Sequence, residues 1–137
     1  MSDNKYTEIT VLSSLEKVRA IEEQILAGAN SIGYNAADMF AIKLCLEEAL
    51  TNAVRHGNCG DISKSVKVRY CICESALEVF VEDQGKGFRP EEVPDPRSEE
   101  NISRPGGRGL LLMRAYMDTL DYLGRGNIVH MVKKRSL

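Results

Sequence analysis

Three short stretches hold the residues whose types and spacing could do chemistry. In CLEEALTNAVRHGN, Glu48 and Asn52 stand four apart. On a helix that spacing stacks a carboxylate and an amide on one face. Their neighbours on that side, Ala41 and Cys45, are small and leave room for something to dock. An exposed helix face with incidental polar residues is the plainer alternative. In VEDQGKGF, Asp83 closes a strand-like run and Gly85 and Gly87 follow it. A carboxylate at a strand end can accept a hydrogen bond from an exocyclic amine such as that of adenine. Bare backbone at the two glycines can approach a flat ring or take positive φ. Many hairpin turns share this pattern. The full phosphate-loop pattern is absent, so Lys86 reads as a surface lysine. In RPGGRGLLLMRAYMD, Gly106, Gly107 and Gly109 precede a helix, where free backbone N–H groups bind phosphate well. Arg104 and Arg108 add charge. A flexible hinge before a core helix is the competing reading.

These residues need a scaffold, and the flanking patterns supply one. The alternation in YTEITVLSS predicts a strand from about Tyr6 to Leu12, with Ser13 or Ser14 capping a helix behind it. Leu15, Val18, Ile21, Ile25 and Ala29 recur at helical spacing up to Gly33. Asn35 caps a second helix that runs to about His56 and stops at Gly57. Its core stripe is Met39, Ile42, Leu46, Ala49, Leu50 and Ala53. SVKVRYCICES and ALEVFVED predict a hairpin turning near Glu74 and Ser75. A long loop holding all four prolines follows, and loops of that length in compact domains are usually functional or disordered. LLLMRAYMD gives a short helix, and TLDYLG and NIVHMVKK a last hairpin through Arg125–Asn127. The order β-α-α-β-β-loop-α-β-β predicts a two-layer α/β sandwich: a mixed, mostly antiparallel sheet with helices on one face.

Composition narrows the class. The 137 residues suit a single domain, 1–137, with 43% hydrophobic and 28% charged residues. A net charge of −2 argues against a broad nucleic-acid or membrane footprint. The basic Lys133, Lys134 and Arg135 read as a solvated end. The polar N-terminus and the absence of a long apolar run predict a cytoplasmic protein. Cys45, Cys59, Cys71 and Cys73 include no C-x-x-C and read as reduced thiols, some of them buried. His56 with Cys59 lacks a second pair for a metal site.

Taken in order, the motifs resemble the GHKL (Bergerat-fold) ATPase superfamily. Glu48-x-x-x-Asn52 matches its N box, Asp83-x-Gly85-x-Gly87 the first glycine box, Gly107-x-Gly109 the second, and the intervening loop the ATP lid. EEALTNAVRHGN and GGRGLLLMRAYMD are most similar to the small bacterial anti-sigma factor serine/threonine kinases. That resemblance implies ATP and Mg²⁺, with Asn52 holding the ion and Glu48 acting as base on the attacking hydroxyl. Asp83 would read adenine. Gly85, Gly87, Gly107 and Gly109 would shape the pocket, with the N–H groups near Gly109 and Leu110 facing phosphate. Arg104 and Arg108 would assist from the lid, which should be mobile without nucleotide between about Arg89 and Arg104.

The implied partners are a STAS-type anti-anti-sigma protein, a sigma factor and a second copy of the chain, with Arg19 a loosely aligned partner contact. The lid's proline-rich sequence departs from the sporulation-type kinases. An ATP-dependent binding switch with little kinase activity is the alternative, and the presence of Glu48 argues for chemistry. His56 and His130 do not sit in a dimerisation helix of the histidine-kinase kind, and the chain is too short for a gyrase-type ATPase.

Overall fold

A computed structural model of the chain describes residues 5–87 and 107–136. Its elements are β1 (Thr7–Leu12), α1 (Leu15–Ile32), α2 (Ala36–Asn52), β2 (Ser65–Ile72), β3 (Ala76–Glu82), α3 (Gly107–Tyr116), β4 (Thr119–Leu123) and β5 (Ile128–Lys134). The local stop and start signals act as their chemistry dictates. Ser14 Oγ accepts the Lys17 N–H at 3.2 Å, and Asn35 Oδ1 accepts the Asp38 N–H at 2.8 Å. Gly33 closes α1 at φ 104°, a left-handed conformation that glycine adopts without a Cβ penalty. Of the two candidate caps, Ser13 is instead buried beneath the loop that leads into β2.

The five strands order as β1-β2-β3-β5-β4, and every neighbouring pair is antiparallel. Two helices join β1 to β2, so the chain returns antiparallel to its starting strand. A single helix precedes β4, which therefore runs in the same direction as β3. β5 inserts between them, so the mixed character allowed by the connectivity produces no parallel pair. Val66, Val68 and Tyr70 alternate inward on β2, as do Leu77, Val79 and Val81 on β3. They form one core with Val18, Ile21, Ile25 and Ala29 of α1 and Ile42, Leu46 and Leu50 of α2. Among the described residues no helix is long and apolar enough to cross a membrane.

Four expectations change. α2 ends at Asn52, not His56, and one π turn, Ala53–Gly57, follows, with the Asn58 N–H bonded to the Ala53 carbonyl at 2.8 Å. α3 starts at Gly107, three residues earlier than the apolar pattern suggests, so two glycines lie inside its first turn. Ala41 and Cys45 do not leave an open docking face; they are 3% and 0% exposed. α3 and the residue after it cover that side, and Cys45 shares a small apolar gap with Met117, Leu77, Val79 and Met131. The C-terminal basic run is not merely solvated. Lys133 lies 3.8 Å from both Asp38 and Asp118, and Arg135 stands over the Tyr34 ring.

Asp38 anchors that end. It is 1% exposed and accepts the Ser136 N–H and hydroxyl at 2.8 and 2.7 Å. Burial alone would raise its pKa, but the two Ser136 donors, with Lys133 and Arg135, hold it below the ordinary range. A depressed carboxyl pKa stabilises the fold above its unfolded value and loses that contribution as pH falls through the folded one. Asp38→Ala should therefore cost roughly 1–3 kcal/mol near neutral pH. Urea titration should show the gap to wild type shrinking in acid.

Candidate functional site

A cavity of about 720 Å³ opens where α2, the residues after β3, and the β4–β5 hairpin meet. Ala49, Asn52, His56 and Gly57 form one wall, and Asp83 through Gly87 form a second. Tyr122, Arg125, Gly126, Asn127 and Val129 close the far side, with Met113 of α3.

The Asp83 turn is held by backbone. The Asp83 N–H donates to the Asn127 carbonyl and its carbonyl accepts Asn127 Nδ2, both at 2.9 Å. Asp83 Oδ1 accepts the Gly85 N–H at 2.7 Å. The π turn makes room for this arrangement: a side chain at Gly57 would collide with the Asp83 carboxylate, and one at Gly85 with the Gly57 carbonyl. Gly87 takes φ 101°, and a Cβ there would strike the Arg125 carbonyl. Both glycines of the motif are thus required, for different reasons: close approach at Gly85, and conformation together with close approach at Gly87.

Asn58 was not legible as a site residue, yet it ties the turn in place. It is 0% exposed. Its Nδ2 donates to Ser13 Oγ at 3.1 Å and to the Ser65 carbonyl at 2.9 Å, while Oδ1 accepts the Gln84 N–H at 2.8 Å. Gln84 Oε1 in turn accepts the Ser65 N–H at 2.7 Å. Arg125 Nε donates to the Gly85 carbonyl at 2.8 Å. Gly57, Asn58, Gln84, Arg125 and Asn127 are the additions to the site. The signal that could have found the asparagines is the repeated Gly-Asn step, in HGN and RGN, flanking apolar strands.

Burial raises the Asp83 pKa, and the Gly85 N–H and Arg125 offset this only in part. Lys64, Lys86 and Arg125 bring cationic side chains to the cavity, so Lys86 is both a surface residue and a lining one. Cys59 Sγ contacts the His56 carbonyl at 3.5 Å, which turns the thiol toward backbone. Among the described residues no group of three or more His, Cys, Asp or Glu side chains could hold a metal ion.

Glu48 is half-buried one turn above Asn52 and stands outside the cavity lining proper. Gly109 brings it into the site. A Cβ on Gly109 would lie 2.7 Å from Glu48 Oε2 and 2.8 Å from Asn52 Nδ2, so α3 starts directly against the acid–amide pair. Gly107, Arg108, Gly109 and Leu110 are the first four residues of α3, whose N–H groups lack intrahelical acceptors. Leu110 is buried. The sequence motifs therefore converge, with Asn52 the residue shared by the cavity and the α3 corner. Arg104, Gly106 and the lid lie outside the described residues.

The histidine kinase-like ATPase domain pattern matches residues 11–133, nearly the whole chain. The chain belongs to the histidine kinase-like ATPase family. Within this family, the serine-protein kinase RsbW of Bacillus licheniformis is 34% identical over 93% of this chain and 84% of its own. RsbW of Oceanobacillus iheyensis is 27% identical over 98% of this chain and 89% of its own. An anti-sigma F factor of Clostridium perfringens is 36% identical over 63% of each chain. The solved structure of the RsbU and RsbW domains of a Mycobacterium tuberculosis protein superposes with a TM-score of 0.64 at 17% identity. It covers 97% of this chain, which spans 32% of that longer one, and it supports the shared family fold.

A carboxyl whose folded pKa is raised disfavours its own ionised form, so Asp83 costs stability as pH rises from its unfolded pKa through the folded one. Asp83→Asn removes the half-buried charge and keeps an oxygen for the Gly85 N–H. Its melting temperature without ligand should equal or exceed wild type at neutral pH, and the difference should narrow as the solution is acidified. A clear loss of stability at neutral pH would contradict the assignment of Asp83 as a residue held for ligand rather than for fold.

Proposed function

We propose that the chain is an ATP-dependent protein serine/threonine kinase of the anti-sigma type. It phosphorylates a serine or threonine on a STAS-type anti-anti-sigma partner and, with nucleotide bound, sequesters a sigma factor. The observation that carries this reading is the close approach of Gly109 to both Glu48 and Asn52 at the edge of a cavity that also holds Asp83. The names of the RsbW and anti-sigma F relatives support it. In this reading the protein works in the cytoplasm as a homodimer, with Arg19 of α1 on its partner-facing surface.

The residues fit the chemistry. The Asp83 carboxylate accepts the exocyclic amine of adenine, and the glycine-tight turn beside it admits a flat ring. The N–H groups of Gly107 to Leu110 face the phosphates, with Arg108 and Arg104 as further charge. The single amide oxygen of Asn52 is a thin donor set, which suits Mg²⁺, an ion that keeps several waters and takes other ligands from phosphate. Asn52 would hold the ion, which would supply neutralisation of charge on the phosphoryl group. Glu48 orients the partner's hydroxyl and takes its proton as the new oxygen–phosphorus bond forms and the bond to the leaving diphosphate breaks. A switch that only holds ATP has no need of a carboxylate at that position.

Radiolabelled ATP with a candidate STAS partner should yield acid-stable phosphoserine or phosphothreonine. Glu48→Gln should reduce transfer by roughly 10²–10⁴-fold while leaving ATP affinity near wild type. Undiminished transfer would remove Glu48 from the chemistry. Asn52→Ala should lose the Mg²⁺-dependent part of nucleotide affinity, read by equilibrium dialysis with and without chelator.

A further inference from the structure

The sheet face opposite the helices carries a feature unconnected with the nucleotide cavity. We propose that Cys71 and Cys73 form a two-thiol site on that face, one that captures a single thiophilic metalloid centre of the trivalent-arsenical class. Cys71 lies on β2 in alternation with the inward Tyr70 and Ile72, and Cys73 follows two residues on, at the head of the turn. Their sulfurs are 3.4 Å apart. Cys71 is 6% exposed, Cys73 is half-buried, and both thiols are free.

The backbone holds this spacing. The Cys73 N–H donates to the Ala76 carbonyl at 2.9 Å, and the Cys73 carbonyl accepts the Tyr34 hydroxyl at 2.7 Å. The Arg135 N–H pins the Ser75 carbonyl at 2.9 Å. A disulfide needs its sulfurs about 2.05 Å apart, well inside the 3.4 Å that separates them here. Two thiolates on one soft centre, with bonds of about 2.3 Å at a tetrahedral angle, stand about 3.8 Å apart. A pyramidal centre with a narrower angle needs less. Among the described residues no third ligand completes a metal group here, and a monosubstituted arsenical brings its own third substituent.

The protonation state agrees. Burial, then the Cys73 sulfur beside it, pushes the Cys71 thiol up to about 11. Disulfide exchange needs a thiolate, whereas an arsenoxide reacts with two neutral thiols. Two As–S bonds form, the oxide oxygen leaves as water with both thiol protons, and arsenic keeps its oxidation state. The half-buried Cys73 meets the reagent first, and Cys71 closes the ring.

The test uses the full, reduced chain and phenylarsine oxide. Intact mass should rise by one reagent less one water. Thiol titration of the unfolded adduct should fall from four cysteines by two. A small dithiol should reverse the adduct and a monothiol should not. Cys71→Ser and Cys73→Ser should each lose capture, while Cys59→Ser keeps it. Should either serine variant fail to fold, prior alkylation of Cys73 in the wild type should abolish capture equally. A stable adduct in Cys71→Ser or Cys73→Ser, or none in the wild type, would overturn the proposal. ATP affinity reads the separate nucleotide site and is expected to be unchanged in both variants.

Discussion

The site depends on one steric constraint: the backbone of the Asp83–Gly85 turn lies against the π turn at Gly57 with no space for a side chain on either glycine. That contact sets the depth of the Asp83 carboxylate. The single π turn is what brings the Gly57 backbone to this position, since an uninterrupted α-helix would carry the next residues along the α2 axis instead. π turns occur often at functional sites, and here the turn extends the wall begun by Ala49 and Asn52 through His56 and Gly57, while its Ala53 and Val54 still pack the core. Two buried or half-buried asparagines then fix the turn from either side, Asn58 through its side chain and Asn127 through both side chain and backbone.

A second constraint works at the other end of the cavity. Gly109 lets the start of α3 touch Glu48 and Asn52, so the orphan N–H groups of one helix and the acid–amide pair of another share a corner. The two glycine motifs therefore have parallel roles. Each removes a side chain where a second element must come within contact distance of a functional group. Stability is traded for this at Asp83, whose half-buried charge is only partly offset by the Gly85 N–H and Arg125. Protein sites that keep such groups commonly lower fold stability for function.

Much of the fold was legible because its signals are local. Ser14, Asn35 and Gly33 mark helix ends by hydrogen bonding and φ, and the period-two alternation of β2 and β3 places Val66, Val68, Val79 and Val81 in the core. The paired spacing of Glu48 and Asn52 and the Asp83 glycine motif were equally readable. What escaped depends on tertiary contact. Ala41 and Cys45 look like an open face until α3 and Met117 cover them. Gly57 reads equally well as a simple helix stop. Arg125 and Asn127 look like hairpin residues, because nothing in their neighbourhood announces that β5 pairs with β3 and delivers them to Asp83. Lys133 and Arg135 look solvated until Asp38 and Tyr34 are found beneath them.

The central claim is that an adenine nucleotide sits between α2 and the Asp83 turn, with its phosphates toward the start of α3. The most direct measurement is a crystal structure grown with Mg²⁺ and a non-hydrolysable ATP analogue. The account predicts the exocyclic amine within hydrogen-bond distance of the Asp83 carboxylate and the ion bridging Asn52 to the phosphates. A nucleotide bound elsewhere, or a purine turned away from Asp83, would contradict it.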